Sequence, residues 1–296
     1  GVAIACALGA ENLVFGSETG DADVLSAIAA RLHAPETDEK RAEYLRKNPD
    51  LGAAALEDRM CADMGIPPLS ANDKLGLWYI DALSGTDCRP VAVPRLPASD
   101  SVTSASRIRE WLYAGERDSV RAYVPGNVWQ TMQSEPVTTP ARFCDYLHVY
   151  FRFFAPDTTP CLREVSGGVY ERLRKSAYAA TSGTAFLENA ACKKYTNARL
   201  RRAALFCATG VTDAILSDQP RYVPLLAANQ KGCAWLGGQK KTTGLSILTK
   251  PADSSHLPTA AQVQLDCLHR ADDLYAYLMG KDSGYFLRAS PYIERA

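Results

Sequence analysis

The chain has 296 residues, 47% of them hydrophobic and 22% charged, a balance that excludes a disordered or fibrous protein and allows one large or two ordinary globular domains. Its 33 Lys and Arg residues are matched by 33 Asp and Glu, so no global field marks a nucleic-acid binder and any basic surface must be local. No apolar run approaches the ~20 residues of a membrane-spanning helix and no basic-then-apolar signal segment occurs, which predicts a cytoplasmic protein with no membrane partner.

The opening run from Val2 to Ala10 reads as the last turns of a buried helix ending at Gly9. A chain that starts on such a helix is expected to lack the amino-terminal strands of its first domain. Leu13, Val14 and Phe15, closed by Gly16 and Ser17, predict a buried parallel strand. Asp21 is placed to cap a helix running to about His33, with Val24, Leu25, Ile28, Ala29 and Leu32 as its apolar stripe. Residues 36–64 predict one or two further helices with a break near Asn48 and Pro49. Ser70 opens another amphipathic helix, its apolar positions being Leu75, Leu77, Trp78, Ile80 and Leu83. Residues Pro90 to Val93 form a short β-prone run that breaks into a loop at Pro94 to Pro97. With only two of its strands present, the sheet should be incomplete and show an uncovered side.

The run Val102 to Arg109 then combines hydroxyl residues of the kind that cap helices, Ser104 and Ser106, with Arg109 one turn further in. Free N–H groups and the dipole at a helix start favour negative charge, and an Arg fork can grip phosphate. Beyond Leu112 the text is helical almost throughout, for example over 117–124, 164–180 and 200–208, with the glycine pairs at 167–168 and 237–238 read as turns. The nine cysteines show no C-x-x-C spacing and read as reduced, mostly buried small hydrophobes. Walker, Gly-x-Ser-x-Gly, His-Glu-x-x-His and dinucleotide fingerprints are absent from the sequence.

Residues Lys193, Lys194, Arg199, Arg201 and Arg202 gather positive charge within ten positions, with Tyr195 among them. Such a cluster can neutralise phosphates while a tyrosine stacks on a base; its plain alternative is a solvated helix face. Lys231, Lys240 and Lys241 are candidates to extend it.

Five stretches in fixed order carry a family pattern: residues 13–21 (LVFGSETGD), 70–79 (SANDKLGLWY), 102–109 (VTSASRIR), 164–173 (EVSGGVYERL) and 194–202 (KYTNARLRR). Together they resemble the bacterial tRNA(Met) cytidine acetate ligases, nucleotidyltransferases of the HIGH superfamily. The resemblance implies an α/β fold, a partial Rossmann-like nucleotidyltransferase domain over 1–115 followed by a mostly helical domain over 116–296. It implies an enzyme that uses ATP and Mg²⁺ to convert acetate to acetyl-adenylate and then acetylates N4 of the wobble cytidine in elongator methionine tRNA. Asn72, Arg95, Leu96, Ser104, Ser106 and Arg109 correspond to nucleotide-side positions, and the basic cluster at 193–202 becomes the tRNA-contacting surface. Asn72 has a competing reading as a helix cap, Arg95 as a solvated loop residue, and Glu18 either orients a ligand or caps the following helix. The superfamily's His-x-Gly-His pair has no counterpart among His33, His148, His256 and His269, so residues 1–296 alone are expected to be inactive. The 95–102 loop also departs from the family by being short. A related enzyme with another carboxylate or acceptor, and a non-catalytic helical RNA-binding protein, remain as alternatives.

Overall fold

The computed structural model describes residues 1–48, 53–96 and 103–294. It separates into two compact units, each discontinuous in sequence: Gly1–Leu96 with Ala228–Ile247 and Ile293–Ala296, and Pro97–Ala227 with Leu248–Tyr292.

The first unit is the α/β one. Helix α1 (Val2–Ala7) ends before Gly9, as the sequence predicts, but none of its residues is buried. Strand β1 (Asn12–Ser17) leads to α2 (Ala22–Leu32), α3 (Pro35–Lys47), α4 (Ala53–Asp63), α5 (Ala71–Leu83) and β2 (Arg89–Pro94). The break expected at Asn48 and Pro49 falls partly outside the described residues, since 49–52 are not among them. β1 and β2 run parallel in a two-stranded sheet with Val14 opposite Val91 and Gly16 opposite Val93. Helix α2 is capped by the Asp21 carboxylate, which accepts from the backbone N–H of Asp23 and Val24. It packs Leu25, Ile28, Ala29 and Leu32 into a core shared with Phe15, Cys61, Ile66 and Leu77. Val24 lies off this stripe and is exposed, and so are Leu75 and Trp78 on α5. The expected stripe on α5 was too wide: the helix turns Gly76 and Leu77 inward instead. A Cβ at Gly76 would stand 2.6 Å from the Phe15 ring, so the absence of a side chain sets how closely α5 approaches β1.

The sheet is covered on one side only. Phe15, Ser17 and Ala92 turn toward the helices, whereas Val14, Val91 and Val93 are exposed on the other face. The same unit holds the helix Gln230–Thr242, which contains Gly237 and Gly238 in its interior; the turn expected there does not form.

The second unit is mainly helical: α6 (Ala105–Ala114), α7 (Gly126–Ser134), α8 (Pro140–Val149), α9 (Val169–Ala179), α10 (Gly183–Ala190), α11 (Asn197–Thr209) and the twenty-residue helix Thr259–Leu278. Arg117–Tyr123 forms a 3₁₀ segment where the sequence predicts helix, and α8 continues as a single π-helical stretch, Tyr150–Phe154. The expected helix over 164–180 is divided: a 3₁₀ turn at Arg163–Val165 is separated from α9 by Gly167 and Gly168, both at positive φ (69° and 91°) that L side chains avoid. Leu147, Phe151, Val169, Tyr170, Leu173, Phe186 and Leu200 form its principal core, with Phe151 within ring-contact distance of both Tyr170 and Phe186. The short strand Tyr222–Pro224 interrupts the helical text and is too brief for periodicity to register.

The cysteines are free thiols, but only four of nine are buried; Cys161 and Cys233 are exposed. Burial pushes the Cys207 thiol up to about 12, which makes it an inert filler of the helical core.

Candidate functional site

In open parallel sheets, ligands bind outside the carboxyl ends of the strands, where side chains can leave the sheet without burying themselves. Here β1 ends at Ser17 and delivers Glu18 and Thr19, while β2 ends at Pro94 and delivers Arg95. The start of α5 stands beside them. Its N-cap is Ser70, whose hydroxyl accepts from the Asp73 N–H at 3.0 Å, so the capping role open to Asn72 is already filled. Asn72 is left free to direct its amide outward, and Nδ2 donates to Glu18 Oε1 at 2.8 Å. Arg95 is equally far from being a merely solvated loop residue: its Nε lies 3.3 Å from the same carboxylate oxygen. The Ser70 hydroxyl reaches Glu18 Oε2. Glu18 is thus held by three side chains from two elements, and Asp21, not Glu18, caps α2.

Beneath this half-exposed cluster lies a buried one. Ser17 and Asp73 are both buried, and the Ser17 hydroxyl donates to Asp73 Oδ1 while accepting from the Gly20 N–H at 2.9 Å. Asp73 also accepts from the Thr19 N–H at 3.2 Å, and Ser70 Oγ lies 2.9 Å from its second oxygen. Burial pushes the Asp73 carboxyl up, but the bonds from Ser17, Thr19 and Ser70 outweigh it and hold the group below the usual carboxylate range. Glu18 is lowered as well, first by the hydrogen bonds from Ser70 and Asn72 and then by the nearby Arg95 charge. Both carboxyls are therefore ionised at neutral pH. A buried charged floor fixes the loop after β1 against the start of α5, and Glu18, Asn72 and Arg95 stand on it.

Sequence reading named Asn72 and Arg95 and weighed Glu18, but missed Ser17 and Asp73. The available signal was the pairing of polar residues in otherwise core-forming text: a Ser at the end of an apolar strand and an Asp on the first turn of a helix that packs on it. Leu96, predicted on the nucleotide side, is strongly exposed.

Ser104, Ser106 and Arg109 belong to the second unit, and Val102 together with most of the 95–102 loop lies outside the described residues. Ser104 is the N-cap of α6 and accepts from the Arg107 N–H at 3.2 Å. Ser106 sits inside the helix rather than capping it, and its hydroxyl accepts from Arg109 Nη2 at 3.2 Å.

The basic cluster is divided in its chemistry. Tyr195 is buried and its hydroxyl donates to the Gly167 carbonyl, so it cannot stack on an incoming base. The side chain instead lies under the Lys194 and Arg199 cations, 5.3 and 5.2 Å from its ring centroid. Arg199 donates to the Glu164 and Ser166 carbonyls, and Arg202 pairs with the Glu164 carboxylate at 3.0 Å. Lys193, Lys194 and Arg201 are exposed and make no ion pair among the described residues. Lys231, Lys240 and Lys241 lie on Gln230–Thr242, in the other compact unit.

The strand-end cluster stands on a short parallel sheet flanked by α2 and α5, and the pattern of the HIGH nucleotidyl transferase family matches residues 1–285. The tRNA(Met) cytidine acetate ligase of Anoxybacillus flavithermus is 30% identical over 283 residues, covering 87% of this chain and 70% of that protein. Its counterpart in Syntrophotalea carbinolica is 27% identical over 268 residues, covering 82% of this chain and 63% of its own length. The chain thus spans about two thirds of these relatives. The crystal structure of Thermotoga maritima TmcAL bound with alpha-thio ATP shares the fold with a TM-score of 0.84 at 22% identity, over 100% of this chain and 79% of that one. Its apo form gives 0.86 at 23% identity. The chain belongs to the tRNA(Met) cytidine acetate ligase family of HIGH nucleotidyl transferases.

Proposed function

We propose that the protein takes part in ATP-dependent acetylation of N4 of the wobble cytidine in elongator methionine tRNA, with acetate activated as acetyl-adenylate. The observation that carries this reading is the convergence of Asn72 and Arg95 on one carboxylate at the carboxyl ends of two parallel strands. Relatives named for the ligase reaction, and a neighbour crystallised with an ATP analogue, support it. Asn72, Arg95 and Leu96 are assigned to the nucleotide. In the same proposal residues 1–115 serve nucleotidyl transfer and 116–296 serve the tRNA, in the cytoplasm.

Adenylyl transfer asks a protein mainly to align an in-line attack and neutralise charge, which amide, guanidinium and helix-start N–H donors supply without a covalent intermediate. Mg²⁺ fits as an ion carried by the triphosphate. Among the described residues no three His, Cys, Asp or Glu side chains converge, and Asp73 is committed to hydrogen bonds, so no protein ligand is assigned to it. With no His-x-Gly-His pair in its sequence, the 296-residue chain is expected to bind substrates but not to form adenylate.

Three measurements test this. Calorimetric titration of the chain with ATP should show saturable binding that Arg95→Ala weakens about tenfold or more. Titration with elongator methionine tRNA should show binding lost when Lys193, Lys194 and Arg201 are changed together to Glu; failure of the chain to bind either ligand overturns the proposal. Pyrophosphate release by residues 1–296 with acetate and ATP would overturn the expected inactivity.

A further inference from the structure

We infer that Glu18 recognises the ribose hydroxyls of the nucleotide, an assignment that rests on reading the strand-end cluster as an ATP site. Glu18, unlike the buried Asp73, is a half-exposed carboxylate of the wrong charge for a triphosphate, and it is held in place. Its Oε1 takes Asn72 Nδ2 at 2.8 Å and Arg95 Nε at 3.3 Å, its Oε2 is reached by the Ser70 hydroxyl, and its side chain stays 44% exposed. Two hydrogen bonds from α5 and an ion pair from the end of β2 hold the rotamer of a carboxylate that solvent still reaches.

An ionised carboxylate only accepts hydrogen bonds, and it offers about four lone-pair sites. Oε1 accepts from Asn72 and lies in an ion pair with Arg95, whereas Oε2 has Ser70 alone. That serine has one proton and a second claimant, because Asp73 Oδ2 lies 2.9 Å from the same hydroxyl. When Ser70 turns to Asp73, both lone pairs of Oε2 are open. A nucleoside triphosphate repels such a group along its phosphates and offers two adjacent O–H donors in one place, the 2′- and 3′-hydroxyls of ribose. Carboxylates next to strand ends meet ribose hydroxyls in this way in other nucleotide-binding α/β sheets. Asn72 and Arg95 then act on the nucleotide partly through Glu18, as positioning residues that aim the carboxylate and offset its charge.

The test is calorimetric titration of the chain with ATP, 2′-deoxyATP and 3′-deoxyATP, for the wild type, Glu18→Gln and Glu18→Asp, with thermal melting to confirm that each is folded. Wild type should bind ATP about tenfold or more tighter than either deoxynucleotide, the range expected for a hydrogen bond to a charged group. In Glu18→Gln the ratio should fall to about twofold or less. Glu18→Asp keeps the charge but withdraws it by one methylene, and should lose most of the preference too; it serves if Glu18→Gln does not fold. A wild-type ratio retained in either variant overturns the assignment, and so does tighter binding of all three nucleotides by Glu18→Gln, which would make Glu18 a plug. Wild-type binding of ATP without ribose preference sinks the role of Glu18 alone, whereas no binding of any of the three sinks the ATP reading beneath it.

Discussion

In the helical unit Arg199 and Arg202 direct their guanidinium groups at Glu164 and at backbone carbonyls, and Tyr195 is buried beneath two cations. In the α/β unit Asn72 and Arg95 reach toward a carboxylate that remains accessible. Both regions concentrate polar residues, yet one set ties turns of the fold together and the other stands on a buried support and faces outward. The difference lies in what is underneath. The helical unit has a large aromatic core built from Phe151, Tyr170 and Phe186, and its charged residues close loops over that core. The α/β unit has a small core and places a buried polar pair, neutral Ser17 and ionised Asp73, where apolar packing would otherwise go.

The largest effect that can break this comparison is expected from Phe186→Ala. Removing a fully buried ring that stacks on His148 and contacts Phe151 should cost about 3–5 kcal/mol, read as a fall in the urea midpoint followed by circular dichroism. A loss below about 1 kcal/mol would show that the core does not organise the helical unit.

Asp73→Asn comes next, at about 2 kcal/mol, because it leaves three donors of the site's floor with a poorer acceptor. Its pH signature has a fixed sign. A carboxyl held below its unfolded value contributes stability that is complete above about pH 4–5 and disappears as the pH falls through its folded value. Denaturation midpoints of wild type and Asp73→Asn should therefore converge as the pH is lowered below about 4. A constant gap down to that range would remove the ionised carboxylate from the account.

The basic cluster offers a smaller and sharper contrast. Arg199→Ala should lower stability by about 1 kcal/mol, since its hydrogen bonds join α11 to the 163–166 turn, while Lys193→Glu should change stability by less than about 0.5 kcal/mol. Equal effects in thermal melts would erase the distinction between the structural and the free members. The smallest change is expected for Val14→Thr on the uncovered sheet face: within about 0.5 kcal/mol in stability, with a reduced tendency to self-associate in sedimentation.

Local chemistry alone determined much of this protein. Asp21, Ser70 and Ser104 announced their helices because a side-chain acceptor three residues ahead of a free N–H acts within one turn. The two parallel strands and the helical remainder followed from apolar spacing, and the order of short motifs pointed to the family that the comparisons support. What spacing could not decide was choice among partners distant in sequence. Asn72 could cap or reach out, and only the docking of α5 onto β1, made close by Gly76, brought Glu18 to it across 54 residues. Tyr195 could stack on a base or on its own chain, and the turn at Gly167 settled that by accepting its hydroxyl. Periodicity fixes which face of an element is apolar; which polar groups then meet depends on how those faces pack, and packing is a property of the whole unit.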